Sequence, residues 1–189
     1  MPLMLICAFG ELATAQNSTA IPSWVRPGVV VTYNGFSSFL RDGQPNNSVT
    51  VVETTEVISV SGNAVSGISH IRNPSIPLPA QDAKWLSVEG AACSGYFGRF
   101  WVDPVHPTDS VKGPNGESFT VKGQGPYSLG GQTWNSTGLI YENPSTGVRY
   151  DLTFDADSGL ILAYAEVSPA QQAYKFFASI AGANLASPK

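Results

Sequence analysis

Between Asp103 and Asp109 the chain reads Asp103-Pro104-Val105-His106-Pro107-Thr108-Asp109, an imidazole flanked by two carboxylates. A His with Asp can orient a water or bind a divalent metal, so converged side chains here would suit a metal-assisted hydrolase. The prolines hold the segment extended, and the only other histidine is His70, in a strand-like stretch. HExxH and CxxC spacings are absent, so the favoured reading is a surface loop, with Asp103, His106 and Asp109 kept as the metal candidates. A second imitation of a metal site is Asp155-Ala156-Asp157-Ser158-Gly159 with Glu166, which places acids like the first, third and twelfth positions of a calcium loop. The sharp-turn position is Leu160 and the fifth is Gly159, with no side-chain oxygen, so a hairpin turn is expected instead.

Nucleophilic chemistry has little to stand on. No G-x-S-x-G elbow occurs, and Cys93 sits among small residues with no Lys, Arg or His beside it to make a thiolate. It reads as buried and inert. Gly123-Gln124-Gly125-Pro126 and Gly130-Gly131 do not open helices, so they are read as turns or bulges, not phosphate loops. Asn17, Asn46 and Asn135 head N-x-S/T sequons, which fits exposure and no more. No cofactor is implied.

What stands out is a surplus of aromatic side chains, including both faces of the stretch Tyr96–Trp101. Core packing under long loops accounts for much of it. The sharper reading is a concave apolar pocket for a lipophilic or aromatic molecule, with Trp85, Tyr96, Phe100, Trp101, Tyr127 and Trp134 as the candidate ligand-binding residues.

The elements that would position them are strands. In Val148–Phe154, Val148, Tyr150, Leu152 and Phe154 alternate with Arg149, Asp151 and Thr153, a period of two with one buried face. After Asp155–Gly159 the chain returns as Leu160–Tyr164, apolar throughout. Trp134–Glu142 enters the similar connection Asn143–Gly147, which also begins with a side chain that bonds its own backbone and ends in Gly. The three form an antiparallel meander. Strands are also expected at Val29–Tyr33, Ser48–Val60, Ala64–Ile71, Lys84–Glu89, Tyr96–Val102 and Ser118–Lys122, with a turn over Asp42–Asn47 and Phe36–Leu40 open to strand or loop. The remainder of Asp103–Gly131 is irregular. At the tail, Ser168-Pro169-Ala170-Gln171 resembles a helix start, while Tyr174, Phe176, Ala178 and Ile180 alternate as in a strand. Strand is preferred, because a meander needs one more. The expected fold is all-β: an antiparallel meander of about eight to ten strands forming a half-open or closed barrel, with room for one short C-terminal helix.

Charged residues are 13% and hydrophobic residues 42%, the composition of a globular chain, and the formal net charge is −4. No basic footprint points to nucleic acid or an anionic membrane, so neither is expected as a partner and membrane contact would be by proximity only. Leu3–Phe9 followed by Ala13-Thr14-Ala15 looks like an export signal ending near residue 15, although no Lys or Arg precedes the run and Glu11 lies in the late region between the run and the site. Nor does a small residue precede Cys7, as lipidation would want. The expected organisation is a signal peptide over 1–15, a leader over 16–23, one β-rich domain over 24–182 and a tail over 183–189, in an extracytoplasmic protein.

The W-x-x-P-G turn into a strand (Trp24–Tyr33) and the aromatic-D-x-x-S-G-L-x-L hairpin (Phe154–Leu162), behind an export segment, resemble envelope β-proteins of the lipoprotein-carrier and lipocalin-like kind. The resemblance implies a half or full antiparallel barrel that carries lipids or other apolar ligands, or serves as a structural surface module. It covers about fifty residues, lacks the lipocalin G-x-W strand start and a lipobox, and transfers no binding residue. The functional expectation is therefore a non-catalytic exported β-domain binding an apolar small molecule or a partner protein surface. A structural or adhesive module is the first alternative and the Asp103/His106/Asp109 hydrolase the second.

Overall fold

The structure, a computed structural model, describes residues 21–41, 44–74, 81–88, 101, 110–112, 118–168 and 174–184. They form one antiparallel sheet: β1 (Val30–Arg41), β2 (Gln44–Ser61), β3 (Ala64–Arg72), β4 (Gln81–Val88), β5 (Ser110–Lys112), β6 (Ser118–Leu129), β7 (Gln132–Glu142), β8 (Arg149–Asp155), β9 (Ile161–Ser168) and β10 (Tyr174–Ala183). Spatial order is β4-β3-β2-β1-β10-β9-β8-β7-β6-β5. The chain thus lays down four strands in one direction across the sheet, and its last strand returns to pair with its first. β4 and β5 are the two edges, so the sheet is open. No helix occurs among the described residues.

Long β-branched runs explain the central strands. Val31, Tyr33, Val51, Val57 and Val65 turn to the buried face, while Asn34, Ser48 and Thr50 lie on the wet one. Breaks in register at Thr32/Tyr33, Ser37/Phe39, Val57/Ser59, Val121/Gly123 and Thr153/Phe154 add local twist and let so wide a sheet curl. The curl is marked by the β6–β7 hairpin, which meets β10 across a pocket although β8 and β9 separate them in the sheet. Where β1 meets the end of β10, Val30 donates its N–H to Asn184 Oδ1 (2.6 Å), and Asn184 returns its own N–H to the Val30 carbonyl (3.1 Å).

Two groups of side chains make up the core. The first joins Val25, Val29, Val31, Tyr33, Val51, Val57, Val65, Trp101, Leu160 and Leu162, with Ile21 and Trp24 packed against it; the second joins Phe119, Leu139, Leu152, Phe154 and Ile161. Tyr164 touches both.

Several expectations change in detail. Phe36–Leu40 is strand, and Arg41 pairs with Gln44, so residues 44–47 of the turn expected over Asp42–Asn47 belong to β2. β6 runs on to Leu129 through Gly123, Gly125 and Pro126, read as turns or bulges: the ladder breaks register at Val121/Gly123, and Gly130-Gly131 forms the turn. Among the described residues β5 pairs with residues 118–120 of β6 and no further, so Pro126 replaces no donor of that ladder. β5 itself falls in the stretch expected to be irregular. Tyr174–Ala183 is strand, as preferred for the tail, while Pro169, Ala170 and Gln171 of the helix-like start lie outside the described residues. Of the strand expected at Tyr96–Val102 only Trp101 is described, in an isolated antiparallel bridge to Leu160. The expected export segment, residues 16–20 of the leader and residues 185–189 of the tail lie outside the described residues, as does Cys93.

Candidate functional site

The β7–β8 and β8–β9 hairpins bring together a row of rings. Glu142 pairs with Arg149, which sets Tyr141 opposite Tyr150, and Leu152 opposite Tyr164 makes Tyr164 the diagonal neighbour of Tyr150. Ring centroids follow one another at 5.6 Å (Phe119–Tyr141), 5.9 Å (Tyr141–Tyr150) and 6.0 Å (Tyr150–Tyr164). The two tyrosine pairs are stacked and the first is tilted. Each contact contributes about 0.5–1.5 kcal/mol beyond burial. Phe119 is buried, while the three tyrosines are half-buried and keep part of their surface in solvent. Beside them Glu166 accepts a hydrogen bond from the Tyr164 hydroxyl (3.4 Å). Partial burial pushes its carboxyl above the usual range, and that hydrogen bond opposes the shift.

Register carries the face of Tyr164 through Ala178 and Gly35 to β1 and β2, where it bears polar groups. Tyr33 donates its hydroxyl to the Ile161 carbonyl (2.9 Å), across β10. Burial holds its phenol well above the usual value, helped by the charge of Glu53. Glu53 is fully buried and accepts from Thr55 Oγ1 (3.3 Å), which lies 2.8 Å from Ser69 Oγ.

At the turn of the β8–β9 hairpin, Asp155 accepts from the backbone N–H and hydroxyl of Ser158. Trp24 reaches the same turn, donating Nε1–H to the Ser158 carbonyl (2.6 Å). Asp155 is therefore spent on the turn. His70, in β3, lies 2.7 Å from Asp82 in β4, an exposed pair across neighbouring strands. No cluster of three or more His, Cys, Asp or Glu able to hold a metal occurs among the described residues.

The six aromatic candidates are placed unequally. Tyr127 and Trp134 are paired across β6 and β7 and pack half-buried on the first core group. Trp101, 1% exposed, belongs to that core. Trp85 lies in β4 with its backbone opposite Gly67. Tyr96 and Phe100 lie outside the described residues, as do Asp103, His106 and Asp109. The structure therefore joins Tyr127 to Trp134. Trp134 also forms one wall of a pocket of about 270 Å³, completed by Leu129, Gly130, Gln132 and residues 180–183. The indole Nε1 of Trp134 is buried and has no acceptor among the described residues, a local cost of about 1–3 kcal/mol.

Sequence reasoning missed the ring row. Its signal was available in the turn lengths, since closing Asn143–Gly147 as a hairpin sets Tyr141 opposite Tyr150. The pocket had no such signal, because it joins residues 129–134 to 180–183 only through the curl of the sheet. No family model matches this chain, and no curated protein matches it.

Proposed function

We propose that this protein is a non-catalytic exported β-domain that binds an apolar ligand, lipid-like or aromatic, or the apolar surface of a partner, on the ring-bearing face of its open sheet. The observation that carries this reading is the row of half-buried rings Tyr141, Tyr150 and Tyr164 beside the second core group. Rings that pack one side and keep the other in solvent suit a surface that an apolar partner covers. Export rests on the run Leu3–Phe9 and the small-x-small site Ala13-Thr14-Ala15. Three acids of the sheet support a non-catalytic role, since Asp155, Glu53 and Glu166 each accept a bond from a neighbour within their own strand or turn.

The test is native mass spectrometry of the protein from its exported fraction, beside a denatured control and a Tyr150→Ser variant. A non-covalent mass that is lost on denaturing and reduced in the variant supports the reading. A bare monomer in every sample overturns it and favours a structural or adhesive module. That second reading draws on the filled core, where Trp101, Tyr33, Leu160 and Leu162 are buried almost completely. The hydrolase alternative requires that His106→Ala abolish an activity.

A further inference from the structure

The β6–β7 hairpin is longer than its neighbours. The last β7–β8 pair is Ser136–Asp155 and Asn135 still accepts the Ala156 N–H (2.6 Å), so residues 132–134 overhang, and Gly130 and Gly131 turn the tip with φ of 62° and 77°. On the other side the β9–β10 ladder ends at Ser179–Ala163. Past that point the hairpin tip faces β10 across the pocket. Ala181, Gly182 and Ala183 carry at most a methyl group, and a Cβ built on Gly182 meets nothing within 4 Å. The space is open because the strand end is bare, with Leu129, Trp134 and Ile180 as its apolar walls.

We infer that this pocket is a binding site for an uncharged molecule of one or two aromatic rings, seated against Trp134. The inference rests on the proposed binding of an apolar ligand and adds its place and size. An apolar cavity of about 150 Å³ holds one benzene ring, and pockets for drug-sized ligands measure roughly 300–1,000 Å³. At about 270 Å³ the pocket has room for two fused rings. Among the described residues no charged side chain lines it, so they offer an ionised group taken inside no counter-charge for its lost hydration. Among the described lining residues Gln132 has a side-chain amide to orient a ligand.

The test is titration of the whole protein with indole, followed by calorimetry and saturation-transfer NMR. Gly182→Phe fills the pocket from a backbone outside the left-handed region, and Ala181→Leu fills it from an exposed neighbour if the first variant misfolds. The expected result is saturable indole binding that weakens at least ten-fold in a folded filling variant. No binding to the parent, or equal binding by a folded filling variant, overturns the site. Absent indole binding beside a long-chain ligand in the native spectrum that depends on Tyr150 overturns this site and leaves the general function standing.

Discussion

Tyr33 and Glu166 are titratable groups that burial has shifted, and each makes a measurable statement. Tyr33→Phe leaves the Ile161 carbonyl without its donor, and the expected loss is about 1–3 kcal/mol in urea unfolding. In the parent, burial favours the neutral phenol, so the stability it contributes is present below about pH 10 and falls as pH rises through the folded value. Glu166 has the same sign at lower pH. Its carboxyl is raised by burial, so stability is full below the unfolded value of about 4.3 and declines as pH rises through the folded one. Glu166→Gln removes that decline. The expected outcome is a smaller drop in melting temperature between about pH 4 and pH 7 than in the parent, and an equal drop would show that Glu166 is not the group responsible.

At the scale of the element, the β8–β9 hairpin shows how much was readable. Its turn was expected from Asp155 and Gly159, and the structure gives Asp155 bonds to Ser158 and Gly159 a φ of 75°. Asp155→Ala should cost about 1–2 kcal/mol, read from urea unfolding, through the unsatisfied Ser158 N–H, and added calcium should leave the melting temperature unchanged. Alternation in Val148–Phe154 and turn chemistry made β7–β9 legible because both are local. β6 was cut short by Gly123, Gly125 and Pro126, which lie beyond the residues that β5 pairs with among the described ones. The buried place of Trp101 was equally hidden, since its partner Leu160 is distant in sequence. Trp101→Ala should cost about 3–5 kcal/mol, read from the shift of the urea midpoint.

Across the whole molecule the pairing of β1 with β10 decides the architecture. It puts the ends of the described chain at the middle of the sheet and leaves β4 and β5 as edges. Such a sheet opens from its edges, where each strand has one neighbour, and holds longest where strands are paired on both sides and packed on the core. Asp82 and Lys84, exposed on β4, fit a strand that meets water. Hydrogen exchange should therefore be slowest at Val31, Tyr33 and Leu162 and fastest along Gln81–Val88 and Ser110–Lys112. Equal protection of the edges and the centre would mean that the edges are covered in solution, and an apolar ligand entering from an edge would first have to displace whatever covers it.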